Sequence, residues 1–158
     1  MLLLIISLGA ASGLLVPHCG TGSCGGASRY RSIRASTAAF EPESATCTLI
    51  SKVKTAPDEV TFASTMAVVE AEYVVTEVSF SVGPVKSAAG SNMGSAKVFS
   101  LGKMHDLSEA ETLGLFGEIY RDVVATPSGD DHPNIRAFMA EGWSGVDFPD
   151  GIALAPAE

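Results

Sequence analysis

All eighteen acidic residues of this 158-residue chain lie from Glu41 onward, and no Asp or Glu occurs in the first forty positions. A water-facing protein surface mixes charges of both signs, so the asymmetry confines the foldable part to the remainder. Three of the ten basic residues, Arg29, Arg31 and Arg34, stand upstream. That leaves seven bases against eighteen acids, a formal charge of −11 from Glu41 onward. Such a surface repels phosphate backbones and anionic lipid, which disfavours sequence-independent binding of DNA or RNA. A basic partner, a cation or a neutral small molecule fits better, although acidity alone is also a route to solubility. The 46% hydrophobic content supplies one packed core.

The acid-free segment reads as a leader. Residues 1–8 (MLLLIISL) open an apolar run that is interrupted by Gly9 and Gly13 and ends near Val16, short of the ~20 residues that span a bilayer. Ala10, Ala11, Ser12 and Gly13 suit a signal peptidase, with cleavage near Ser12 or Gly13. Residues 18–39 are rich in Gly, Ser, Ala, Thr and Arg, which is transit-peptide composition. In series, the two parts resemble the bipartite leader of algae whose plastid lies inside extra membranes. Leu14 stands where such leaders usually carry an aromatic residue. Residues 1–40 are therefore expected to be a cleavable, disordered leader, and the mature form a plastid (chloroplast) protein with no stable membrane span. Secretion by a plain signal peptide and a disordered arm is the alternative, and a membrane anchor at residues 2–16 the third reading. Cys19 and Cys24 fall in the leader, so Cys47 alone survives processing and no CxxC pair exists for zinc. A reducing compartment agrees with that.

Residues 41–56 are an entry arm or a short helix, and the pattern does not decide between them. A helix is expected from Pro57-Asp58-Glu59, with Phe62, Met66, Val69 and Tyr73 as its buried stripe. Residues 74–82 alternate, with Val74, Thr76, Val78, Phe80 and Val82 on one face, as a half-buried strand does. Gly83-Pro84 turns the chain, residues 87–94 are a loop, and residues 96–104 are ambiguous between a strand and a short helix. A long helix is expected from the capping box Ser108-x-x-Glu111 to about Ala125, carrying Leu113, Phe116, Tyr120 and Val123 or Val124 on one face. A shorter helix follows at residues 133–141, capped by Asp131 or His132, with Ile135, Phe138 and Met139 as core contacts and Gly142 past its end. A last strand is expected at residues 145–148, after which the tail frays. The fold class is α+β, a predominantly helical single domain with a small antiparallel sheet.

The strings Phe116-Gly117-Glu118-x-Tyr120-Arg121-Asp122 and Asp131-His132-x-Asn134-Ile135-Arg136-x-Phe138-Met139, followed by Gly142-Trp143-x-Gly145-Val146, resemble the HopJ type III effector protein family. The loop Ala89-Gly90-Ser91-Asn92 with Gly94-Ser95 resembles the family's segment before the long helix. The resemblance covers about residues 57–155, the HopJ-like domain. Members usually carry a cysteine where this chain has Ala96, so no thiol role is implied there. The resemblance implies no established reaction, and a cleavable apolar leader is unlike a type III secretion signal.

Glu118 and Asp122 are four apart on the expected long helix, with Arg121 beside them. If the following helix folds back, Asp130, Asp131 and His132 return toward them. Glu118, Asp122, Asp131 and His132 are then the candidate metal-ligating or acid/base group. The competing reading is a structural clasp in which Asn134 and Arg136 tie the turn to Glu118 or Asp122. Trp143 either closes an apolar pocket or packs on the core edge. Asn92 and Lys97 flank a glycine-containing loop whose backbone N–H groups could cradle an anion, although ordinary turn chemistry explains the same residues. The sequence thus favours a non-catalytic binding or accessory protein whose recognition surface takes in Glu118, Tyr120, Arg121, Asp122, Asp131, His132, Asn134, Arg136, Trp143 and Asn92. Its protein partner or small ligand is unspecified and no cofactor is expected. A small metal-assisted or acid/base enzyme is the alternative, and a secreted effector the third possibility.

Overall fold

The computed structural model describes residues 44–157, which form an α+β domain of predominantly helical character with short antiparallel strands. The undecided first segment is a helix, α1 (Ala45–Thr55), which buries Leu49, Ile50 and Val53. Its N-terminus is closed by Ser44 and by the Glu72 carboxylate, which accepts the backbone N–H of Thr46 at 3.1 Å. Burial pushes the Glu72 carboxyl upward, but hydrogen bonds from Thr46, Ser44 and Ala45 outweigh it and hold the group below its ordinary range.

The helix expected from Pro57 starts later. Pro57–Glu59 is a single 3-10 turn, Val60 is fully buried, and α2 runs over Phe62–Glu72. The reason is a stronger start signal: the Thr61 hydroxyl accepts from the Ser64 backbone while the Ser64 hydroxyl accepts from that of Thr61. The expected strand over residues 74–82 is two strands in separate sheets. β1 (Tyr73–Val75) pairs antiparallel with β5 (Leu154–Pro156), so the tail is held and does not fray. β2 (Phe80–Val82) lies between β3 (Val85–Ser87) and β4 (Val146–Asp147). The alternation holds at Val78, Phe80 and Val82, which are buried, and fails at Val74, which is 56% exposed.

The ambiguous stretch is a helix, α3 (Met93–Met104), buried at Ala96 and at every residue from Val98 to Gly102. A helix enclosed on all sides shows no amphipathic period, which is why the pattern could not type it. Phe99 sits at its centre, with ring centroids 4.9 Å from Phe138, 5.5 Å from Phe116 and 6.2 Å from Phe80.

The expected long helix is broken. α4 (Glu109–Gly114) starts at the anticipated capping box, with Ser108 N donating to Glu111 Oε2 at 2.8 Å, but α5 (Glu118–Ala125) is a separate helix. Gly117 makes the break: its φ is +57°, and a Cβ there would lie 2.7 Å from Phe62 N and 2.8 Å from Thr61 Cα. α6 (Pro133–Glu141) ends at Gly142 as expected and buries Ile135 and Phe138, whereas Met139 is 46% exposed. Neither Asp131 nor His132 caps it through a side chain: His132 occupies the cap position with φ +47°. Among the described residues no helix is long and apolar enough to cross a membrane.

Gly117→Ala is expected to lower the unfolding free energy by about 2 kcal/mol or more, since it combines a left-handed backbone with contact against another backbone. Urea unfolding measures this, and an unchanged midpoint would contradict the role given to Gly117.

Candidate functional site

The proposed acidic group loses Glu118 to α2. Glu118 stands at the first residue of α5, about 10 Å along the helix axis from its far end. Its Oε2 accepts the backbone N–H of Phe62 at 2.9 Å, so it serves the N-terminus of α2. That bond, followed by the carboxyl's bond to its own backbone N–H, holds Glu118 below the ordinary carboxylate range. Asp122 and Asp130 are exposed. Asp131 Oδ2 lies 3.9 Å from His132 Nε2, with both side chains about half exposed. No group of three or more His, Cys, Asp and Glu among the described residues is placed to hold a metal ion. Glu118, Asp122, Asp131 and His132 are therefore not placed together as a metal-ligating group.

A clasp does exist at the α5–α6 corner, with different partners from those expected. Arg136 donates through Nε to the Asp131 carbonyl at 2.7 Å and through a terminal nitrogen to the Thr126 carbonyl at 2.9 Å. It also reaches the Thr126 hydroxyl at 3.1 Å and pairs with the Asp131 carboxylate. The Arg136 hydrogen bond lowers the Asp131 carboxyl below its usual range. The guanidinium thus joins the C-terminus of α5, where carbonyls lack helical partners, to the turn before α6.

Arg121 donates to the Val60 carbonyl at 3.4 Å, and Tyr120 packs partly buried against the core. Trp143 is half-buried: Nε1 donates to the Leu107 carbonyl at 2.9 Å, and the ring meets Phe138 edge-on at 5.1 Å. One face of Trp143 lines a cavity of about 310 Å³ with Gly102, Lys103, Asp106 and Leu107. Lys97 turns away from the glycine loop to pair with Glu70 at 3.9 Å. His105 is half-buried, its Nε2 2.8 Å from the Tyr73 hydroxyl.

What the fold brings together is a second group. Asn92, Ser95, His132, Pro133, Asn134 and Ile135 line a cavity of about 220 Å³ between the first turns of α3 and α6. Three of the sequence candidates, Asn92, His132 and Asn134, meet there. They come from strings forty residues apart in the chain. The joint beneath them is Ser87 at the end of β3, only 4% exposed. Asn92 Nδ2 lies 3.0 Å and Asn134 Nδ2 3.4 Å from the Ser87 hydroxyl. Asn134 is 3% exposed, and its Oδ1 is the one buried side-chain nitrogen or oxygen among the described residues without a partner. An unsatisfied buried polar atom costs about 1–3 kcal/mol, so a fold keeps one only where something offsets it. Sequence reasoning missed Ser87 and Ser95, because nothing in a serine's local context marks a long-range joint.

The sequence profile of the family described as HopJ type III effector protein matches residues 46–154. A crystal structure described as that of an unknown function protein, VPA0580, is 37% identical, with a TM-score of 0.68. The match covers 70% of this chain and 92% of that one. No curated protein matches significantly.

The Glu118 carboxylate gives a pH signature. Its folded pKa is depressed, so its contribution is full above the ordinary carboxylate range and is lost as pH falls through the folded value. Wild type is expected to exceed Glu118→Gln in urea midpoint at neutral pH, with the difference shrinking as pH falls below the ordinary carboxylate range. A difference that stays constant with pH would show that the charge is not what caps α2.

Proposed function

This chain belongs to the HopJ type III effector protein family, whose description names no reaction, and from that premise we propose that it is a non-catalytic binding or accessory protein. Its ligand seat is the cavity lined by Asn92, Ser95, His132 and Asn134. The observation that carries this reading is the Asn134 amide, almost wholly buried at the cavity wall with one end unpartnered. The other candidate groups have structural duties that account for them. Glu118 serves α2, Arg136 joins α5 to the α6 turn, and Trp143 ties the Leu107 carbonyl to the α6 end. An acid/base reading needs Glu118, Asp122, Asp131 and His132 together, and their placement favours it less.

The place of work belongs to the same proposal. The acid-free leader with its apolar start and transit-like continuation supports import into a plastid, with secretion as the alternative. Residues 1–45 fused to a fluorescent reporter are expected to deliver it to the plastid of an algal host, and accumulation in the medium would overturn this localisation.

The binding reading is tested by titrating the 15N-labelled chain with a small-molecule extract of plastids. Amide shifts confined to residues 92–95 and 132–135, with no component consumed, are expected. Turnover of a component, or shifts confined to other regions, would contradict a non-catalytic seat at this cavity.

A further inference from the structure

We infer that the cavity beside the C-terminus of α3 is a second binding site, for a small zwitterion of the amino-acid type whose apolar side chain lies on Trp143. Gly102, Lys103, Asp106, Leu107 and Trp143 line it, and its volume is about 310 Å³. That is at the lower end of the ~300–1,000 Å³ found for small-molecule sites. The cavity between the α3 and α6 starts lies at the other end of α3 and shares no residue with it.

Its wall is a fixed aromatic ring. Trp143 Nε1 donates to the Leu107 carbonyl at 2.9 Å, the Trp143 backbone N–H donates to Glu109 Oε1 at 3.1 Å, and the ring meets Phe138 edge-on. The polar edge of the indole is thereby spent inside the fold, so the ring offers the cavity apolar surface. A ring already held this way receives an apolar group at little cost in side-chain entropy.

Two opposite charges complete the lining. Lys103 and Asp106 are three residues apart, yet they pair neither with each other nor with any other charged group among the described residues. The Lys103 ammonium lies 5.8 Å from the Phe148 ring centroid, at the outer reach of a cation–π contact, which leaves its N–H donors open. The Asp106 carboxylate accepts no hydrogen bond among the described residues.

Folding accounts for Lys103 but not for Asp106. A cation in the last turn of a helix suits the dipole, and Lys103 occupies that turn of α3. Asp106 stands just past the His105 cap with φ +50°, where the Leu107 N–H turns back to the Gly102 carbonyl at 2.9 Å. Helix exits of this form favour glycine, and the negative end of the dipole disfavours a carboxylate. Asp106 is thus unsuited to its turn on both counts. A carboxylate kept there against the fold's preference, beside a cavity and without a protein partner, is placed to receive a cationic group from a ligand.

The pair of charges sets the ligand class. A simple ammonium compound meets Lys103, and a simple anion meets Asp106 as well as the domain's negative field. A zwitterion suits both, since its carboxylate accepts from Lys103 while its ammonium donates to Asp106. Carrying no net charge, it is not repelled by the acidic domain.

Trp143 is the chain's one tryptophan, so its emission reads the site directly. The probes titrated into the purified chain are L-phenylalanine, phenethylamine, which keeps only the ammonium, and 3-phenylpropionate, which keeps only the carboxylate. A saturable change in emission is expected with L-phenylalanine, with affinity about tenfold or more above that of either analogue. Asp106→Asn is the discriminating variant, because asparagine tolerates the left-handed turn and carries no charge. It is expected to keep or raise the melting temperature while weakening L-phenylalanine binding roughly tenfold or more. Lys103→Gln is expected to weaken it similarly. In the extract titration this site adds amide shifts at residues 102–107 and 143, which vanish when free amino acids are removed from the extract beforehand. Either analogue binding as tightly as L-phenylalanine would overturn the zwitterion, and so would undiminished binding in folded Asp106→Asn. A saturable response to none of the three probes would overturn the site itself.

Discussion

Helix α3 has no solvent face from Val98 to Gly102, and the rest of the domain is arranged by that burial. Phe99 meets rings from β2, α6 and the α4–α5 junction, so three otherwise separate elements share one contact. A side chain at Gly102 would lie 2.7 Å from the Thr112 hydroxyl and 3.0 Å from Trp143, which places α4 and the end of α6 directly on the helix. Buried this way, α3 can neither rotate nor slide without opening the core, because interiors packed at crystal-like density transmit small displacements. Its first turn is held correspondingly firmly beside that of α6.

Polar groups extend the same logic at the helix starts. Carboxylates distant in sequence close two of them, Glu72 on α1 across twenty-six residues to Thr46 and Glu118 on α2 across fifty-six to Phe62. Each joins a helix end to another element, so capping and tertiary packing are one interaction. Ser87 does comparable work between α3 and α6 with a hydroxyl in place of a carboxylate, which positions both helix starts and leaves their N–H groups open. Arg136 adds the corner on the far side of α6. The polar residues that looked most chemical in the sequence divide between these structural joints and the cavity lined by Asn92, Ser95, His132 and Asn134.

The legible parts of the fold were those with local signals. The Ser108–Glu111 box, the Pro133 start and the Gly142 stop of α6, and the alternation of Val78, Phe80 and Val82 all stand in short windows, and the structure contains each. What could not be read depended on distant partners. The pairing of β1 with β5 needs residues eighty positions apart, and the burial of α3 erased the periodicity that would have typed it. Gly117 could be seen as a weak point in a helix, but its positive φ follows from the Thr61–Phe62 backbone that packs against it. Glu118 and Asp122 keep their helical spacing on α5, but the Glu118 carboxylate is taken by the Phe62 N–H, a partner fifty-six residues away that no local window shows. Asn92, His132 and Asn134 were legible as candidates one by one, whereas their meeting over Ser87 was not.

The account turns on whether the cavity between the α3 and α6 starts is a ligand seat, and crystals of the chain soaked in a small-molecule extract of plastids examine that directly. It predicts ordered density for a small molecule against Asn92, Ser95, His132 and Asn134. Density for water alone, or an Asn134 amide satisfied at both ends by protein groups, would contradict it.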